Sequence, residues 1–492
     1  MMALDRIDGR GLPDDLDLPN GERMRRAMRR QVSIGLGVSI GAGLLWFYLP
    51  SPLLIVGLAL TPIVTTLVIK QPYILCLAFI ALSFFRLHEA FPQLYELHLP
   101  LTLAIACVVV LGTQLAAGRI KPYWSRELTY FSLFFLHVTI SVMFATNRAN
   151  SLAYWIDTYS KIAIMVPAIA WLARSPRELA LAGKVLVAAG VAVSLVAIHN
   201  TGDPANLVEG TRVTIGRDMG SLLGDPNDLS LVLLFPISFA VAYVLSPGMS
   251  WTNRLFGLVS AILILVAILD TKSRGGLLGA AAVFAVFALR TIKSRILTIG
   301  IGGLGAMALF ALAGIAARQS GGTGEGGIDE SAAGRLYAWQ AAFRMARDHP
   351  LFGVGIDNFP GNFFFYTSNW EGFAKAVHST WFGVLAETGF VGLALFVVLV
   401  VATVRRSFGS LRALDRMRNA GVRMNLEAYA IAQAVLAGLA SFIVSGSFLT
   451  QGFTWPIYIL LALALSVSHF AASMAAGGTG DGAEPASPET GR

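Results

Sequence analysis

Charge is scarce in this chain. Only 13% of its 492 residues are charged, against 55% hydrophobic, where a soluble domain carries roughly a quarter charged. Too little polar surface remains to cover a water-soluble body of this size, so the expected solvent is lipid. Cysteine is nearly missing. Cys76 and Cys107 both fall inside apolar runs, which reads them as small buried hydrophobes and excludes a disulfide framework or a thiolate metal site. A cleavable signal is also lacking: the apolar run from Val32 follows a long polar, basic lead and has no small-residue cleavage site. It is read as a retained first span. The glycine-rich stretch Ser320-Gly-Gly-Thr-Gly-Glu-Gly-Gly is followed by no Lys-Ser/Thr and preceded by no strand. It is a linker rather than a phosphate loop.

Long hydrophobic runs are what the chain has. Fourteen stretches approach the ~20 apolar residues that a span needs, from 31–49 and 52–69 through 72–85, 155–173 and 296–316 to 379–404, 429–448 and 455–470. The expected fold is an all-α polytopic membrane protein of about fourteen transmembrane helices. Residues 1–30 form a basic cytoplasmic tail, 31–472 the membrane domain, and 473–492 a disordered cytoplasmic tail. Lysine and arginine set the orientation. With the N-terminus inside, alternate loops carry Arg119, Lys121 and Arg126, then Arg254, then Arg290, and finally the cluster from Arg405 to Arg423, a bias of about two to one over the other face. Orientation and anionic lipid thus account for the net charge of +8, and no nucleic-acid partner is expected. The two long outer loops are 200–228 and 317–377.

Several cations defy that bias and stay outside. Arg217 sits in Thr214-Ile-Gly-Arg-Asp-Met-Gly, ahead of Gly224-Asp-Pro-Asn-Asp228; Arg274 sits in Thr271-Lys-Ser-Arg-Gly-Gly276; Arg335 opens Gly334-Arg-Leu-Tyr-Ala-Trp339. Arginine cannot discharge, and its planar fork matches phosphate oxygens. Three of them at a membrane surface suit an anionic, lipid-linked ligand, although each alone could equally anchor a helix end. His378, where the outer loop meets the next span, can take a proton near neutral pH or merely cap a helix. Glu387 lies nine residues on, half a turn away around a helix, and is expected to be a buried acid with a partner on another span. Asp157 and Lys161 are expected to pair at i,i+4, and Lys184 to reach the cytoplasmic interface. The 331–349 segment reads as an amphipathic helix with Leu336, Trp339 and Phe343 on its apolar face and Arg344 paired to Asp348. His88 and His98 lack metal-ligand spacing. Asp14-Asp-Leu-Asp17 lies on the tail, and Asp225 and Asp228 are read as helix caps, so no metal site is expected.

Four pieces in order resemble the bacterial O-antigen ligase and polymerase family of membrane glycosyltransferases. They are Gly224-Asp-Pro-Asn-Asp228 after an arginine; Thr271-Lys-Ser-Arg-Gly-Gly276; Gly334-Arg…Trp339…His349-Pro-Leu-Phe-Gly-Val-Gly-Ile-Asp-Asn-Phe359; and His378 leading into Glu387-Thr-Gly-Phe-Val-Gly392. The resemblance runs from about 200 to 400. Ser379 stands where the pattern often has Asn. The resemblance implies a glycosyltransferase-C-like helical bundle with a large periplasmic loop, in a bacterial inner membrane, working without a metal or other cofactor. The donor would be an undecaprenyl-diphosphate-linked glycan. Arg217 and Arg274 would bind the diphosphate, with Arg335 as a third contact, and His378 would activate the acceptor hydroxyl. The acceptor would be lipid A core, a growing surface polysaccharide or a protein hydroxyl. A flippase for lipid-linked sugar is the rival from another class. Polar groups gathered at one face, without an internal repeat, favour the enzyme.

Overall fold

The computed structural model describes residues 71–90, 99–173, 175–219, 221–292, 330–372 and 374–477, with isolated positions 37, 41, 294, 300 and 305. Three expected spans, 31–49, 52–69 and 296–316, lie outside these residues, as do the Asp14–Asp17 acids, His98, the glycine-rich linker and most of both tails. The other eleven expected spans are all helical. Nine helices among the described residues are long and apolar enough to cross a membrane.

The helices, numbered here in order, are α1 Tyr73–Ser83, α2 Leu99–Ala116, α3 Arg126–Ser141, α4 Arg148–Tyr154, α5 Ser160–Leu172, α6 Pro176–Asn200, α7 Pro226–Leu245, α8 Trp251–Asp270, α9 Arg274–Thr291, α10 Glu330–Asp348, α11 Phe359–Tyr366, α12 Thr380–Asn419, α13 Leu426–Gly446 and α14 Trp455–Gly477. At about 16 Å, α1 is too short to span alone. A π turn, Trp155–Tyr159, joins α4 to α5. Its i→i+5 bonding changes the helical register, and no ion pair joins Asp157 to Lys161. Helix α14 continues to Gly477, into the stretch assigned to the tail.

Starts and stops follow local chemistry. Ser175 and Glu178 form a capping box ahead of α6, with Pro176 in its first turn. Asp225 caps α7 by accepting from the Asn227 and Asp228 amides, as expected. Asp228 does not cap; it sits within the first turn. Ser273, Ser379 and Asn425 cap α9, α12 and α13.

Side-chain bonds sort the bundle into two ends. At one, Arg406 grips Glu127 of α3 (Nη2 to Oε2 2.7 Å), Arg290 of α9 meets Asp415 of α12 (3.0 Å), and Lys184 pairs with Glu427 (2.9 Å) instead of reaching free into the interface. At the other, Asn200 donates to the Thr214 carbonyl (2.9 Å), Trp381 to Ser447 (3.1 Å), and Thr146 to the Val354 carbonyl (3.2 Å). Helices α3, α6 and α13 begin at the first end, α7, α9, α12 and α14 at the second. The outer-loop candidates all belong to the second.

The described parts of the two long loops, 200–228 and 317–377, are folded. Residues 207–213 make a hairpin, β1 Leu207–Val208 antiparallel to β2 Arg212–Val213, with Leu207 opposite Val213. The 331–349 segment is helical, as expected. Its alanine face, Ala338, Ala341 and Ala342 with Met345, packs against Phe359, Phe363, Val377 and Ala386. Leu336 and Phe343 stay 46% and 50% exposed, turned outward as an interfacial helix allows. The small residues let α10 approach α12 closely. Arg344 donates to the Tyr366 carbonyl (2.9 Å), while Asp348 takes Arg347 (3.2 Å).

Candidate active site

Helix α12 is interrupted at Gly389, whose φ of 71° lies in the left-handed region. An interruption orphans helical donors and acceptors, and inside a bundle these must be met by protein. Residues 350–355 of the 317–377 loop meet them. Val354 N donates to Ala386 O (2.9 Å), Gly355 N to Glu387 O (3.1 Å), and Phe390 N to Pro350 O (2.9 Å). The Thr388 carbonyl is 2.9 Å from Nε2 of His137, a buried histidine stacked on Phe352. Residues 350–355 are thus keyed into the break, and the family-like segments around His349-Pro and Glu387-Thr-Gly are two halves of one joint. Glu387 seals it: its Oε1 accepts from Phe359 N (3.1 Å) at the start of α11. Its partner is therefore the loop and not, as expected, another span.

The other two segments form a second joint. Arg212, 5% exposed, donates through Nε to the Thr271 carbonyl (3.1 Å) and through Nη2 to Asn227 Oδ1 (2.9 Å). Ser273 Oγ donates to the same Asn227 oxygen (3.0 Å). Replacing Arg212 with methionine takes a donor from the Thr271 carbonyl and leaves Asn227 Oδ1 with Ser273 alone, and should cost about 1–3 kcal/mol, measured as a fall in the thermal unfolding midpoint.

Between the two joints lies a cavity of about 570 Å³. Arg86, Asp225, Asp228, Asp357, His378 and Glu387 supply its charge-bearing walls, and Tyr154, Phe359, Phe453 and Trp455 aromatic ones. Strain collects here. Arg86, Asp357 and His378 all have positive φ (50°, 62° and 46°), a cost that surrounding structure must hold in place. His378 is bracketed by anchored neighbours: Trp339 Nε1 donates to the Val377 carbonyl (3.1 Å), Ser379 caps α12, and Thr380 Oγ1 donates to Leu449 O (2.7 Å). Because His378 precedes the cap, helical spacing does not govern it, and it reaches the same cavity as Glu387 without bonding to it. Arg86 is held by Glu89, which also takes the Ser221 hydroxyl.

Burial pushes the His378 pKa below its ordinary value. Arg335 and Arg212 push the same way, while Asp225 opposes them. Removing a cation favours the protonated form and removing an anion disfavours it. If His378 is the base, Arg335→Gln moves the acid limb of the pH–rate profile up, and Asp225→Asn, still a good cap, moves it down. Asp357 shifts upward through burial, although Asn150 donates to it.

The sequence candidates are placed unequally. His378 lines the cavity and Arg335 lies close enough to perturb it. Arg217 and Arg274 do not line it. Arg217 lies in the turn that follows the hairpin, its backbone against Gly224, and Arg274 opens α9 behind the Ser273 cap. Arg212 and Arg86 are revealed only by the fold. The sequence marks both simply as outer cations, and a buried arginine on a two-residue strand has no local signature. No group of three or more His, Cys, Asp or Glu among the described residues is placed to hold a metal.

Residues 259–397 match the family model described as O-antigen ligase, a stretch running from α8 into α12 that holds Arg274, Arg335, His378 and Glu387. The chain is also similar to exopolysaccharide production protein ExoQ of Rhizobium meliloti (strain 1021), 29% identical over 196 residues. That match covers 36% of this chain and 42% of the relative.

Proposed function

We propose that this O-antigen ligase-like membrane protein transfers a glycan from undecaprenyl diphosphate to an acceptor hydroxyl, at the periplasmic face of a bacterial inner membrane. The match over residues 259–397, the similarity to an exopolysaccharide production protein and the apolar helices support the coarser reading, a multi-pass membrane protein of O-antigen ligase type in polysaccharide biosynthesis. The observation that carries the finer one is the position of His378. It stands in strained backbone, with a carboxylate- and aromatic-lined cavity before it and the guanidinium groups of Arg335 and Arg212 nearby.

In this reading the acceptor's sugar ring occupies the cavity, where carboxylates accept from its hydroxyls and aromatic rings cover its apolar faces. The neutral imidazole of His378 takes the acceptor proton as that oxygen attacks the anomeric carbon. The bond from that carbon to the diphosphate oxygen breaks, and its electron pair leaves with undecaprenyl diphosphate. Arg335 meets the charge that develops, and Arg217 and Arg274, outside the cavity wall, are the further diphosphate contacts of this reading. Loss of one such donor costs roughly a hundredfold in rate. Expression-matched membranes carrying Arg274→Ala should therefore lose transfer while lipid-linked donor accumulates on the periplasmic leaflet. Full activity would remove Arg274 from the site, and accumulation on the cytoplasmic leaflet would favour the flippase.

Lipid A core is the acceptor of a ligase. The similarity to an exopolysaccharide production protein supports a second reading, in which a growing polysaccharide is the acceptor and the product is polymer.

A further inference from the structure

A second cavity among the described residues lies at the other end of the bundle. It is a groove of about 740 Å³ between α3, α12 and α14. Its walls are valine and alanine, Val397, Val401, Ala471 and Ala475 among them, and its rim holds Arg126, Arg405, Arg406 and Glu127. Arg406 is engaged: Nε and Nη2 clasp Glu127 (3.0 and 2.7 Å) and Nη1 donates to Ser468 (3.2 Å). Arg126 and Arg405 are exposed and make no ion pair with any described residue. Three arginines against one glutamate leave the rim at +2.

Past the break at Gly389, Arg405 lies fifteen residues beyond Phe390 on α12, about 22 Å of helix rise, most of the ~30 Å of a hydrocarbon core. With the active-site end at one interface, the arginines stand at the other, and the apolar walls lead from them into the acyl region.

We propose that this groove binds an anionic phospholipid, its phosphate between Arg126 and Arg405 and one acyl chain along α12 and α14. Charge complementarity selects this occupant over a helix. The three apolar runs of this chain outside the described residues, 31–49, 52–69 and 296–316, contain no aspartate or glutamate and could not neutralise the rim. A second copy docking through the same face would bring a second +2 against the first. Guanidinium groups at an interface hold phosphate bidentately, and basic pockets between membrane helices suit anionic headgroups. The inference needs the membrane reading alone and is independent of the transfer reaction.

The test uses the full chain purified in detergent and titrated with phosphatidylglycerol or phosphatidylcholine, followed by thermal unfolding and native mass spectrometry. Phosphatidylglycerol should raise the midpoint by about 4 °C or more and survive as a bound adduct; phosphatidylcholine should do neither. The double variant Arg126→Gln/Arg405→Gln should insert normally and lose the difference between the lipids. Ala471→Trp, which fills the groove and keeps the arginines, should lose the adduct as well. Equal effects of the two lipids, or selectivity persisting in the double variant, would overturn the proposal. So would cross-linking of a cysteine at Ala472 to a second copy or to residues 31–69.

Discussion

Replacing His378 with alanine should lower kcat for glycan transfer by about 10²- to 10⁴-fold, the range that a positioned general base contributes, with membrane insertion unchanged and KM for the lipid-linked donor moved little. The imidazole has no other assigned work. It makes no bond to Glu387, and the anchoring of the loop falls to Trp339, Ser379 and Thr380 on either side. A purely structural role is separable, because φ at this position is 46°. Asparagine tolerates left-handed backbone better than most residues, so His378→Asn keeps the loop conformation and removes the base. It should be as inactive as the alanine variant, read by initial rates in expression-matched membranes. An active asparagine variant would reduce His378 to a backbone position.

The second large effect is expected at the joint. A Cβ at Gly389 would stand 2.4 Å from the Pro350 carbonyl, in backbone already at φ 71°. At Gly353 a Cβ would stand 2.4 Å from the Ala386 carbonyl. Neither obstacle is a flexible side-chain tip. Gly389→Ala combines positive-φ strain of about 1–3 kcal/mol with overpacking of about 1–3 kcal/mol, and the loop can relieve it only by withdrawing from the break. The variant should lose several degrees of thermal midpoint and nearly all transfer activity, since withdrawal opens the wall formed by Asp357 and Phe359. Gly361→Ala is the control. It lies within α11 with open space around it, where alanine is worth about 0.5–1 kcal/mol over glycine, so its stability should hold or rise.

These positions mark where sequence reading reaches and where it stops. Spans announce themselves by composition, so every apolar run that falls on described residues is a helix. Caps are equally local: Ser175 with Glu178, and Asp225 before a proline, are written in four or five residues. What resists reading is pairing between distant segments. Nothing near Gly389 reveals that the helix breaks there, because the groups that make the break tolerable come from residues 350–355 and from His137 on α3. The packing of α10 is hidden for the same reason: Ala338, Ala341 and Ala342 gain their role only from its close approach to α12. Glu387 was expected to bond to a span and bonds to a loop, since its partner exists only once the joint has formed. At the candidate site, His378 was legible because a histidine at the edge of a span is conspicuous. Arg212 was not, because its importance lies in its burial beside Asn227 and Thr271.

The central claim is that this bundle makes a glycosidic bond at one membrane face. It is tested most directly by counting products. Purified protein in liposomes, supplied with an undecaprenyl-diphosphate-linked glycan and an acceptor glycan on the active-site side, should release one undecaprenyl diphosphate for each new glycosidic bond, with both lost in His378→Asn. Movement of the intact donor between leaflets with no undecaprenyl diphosphate released would contradict the account and make the protein a carrier.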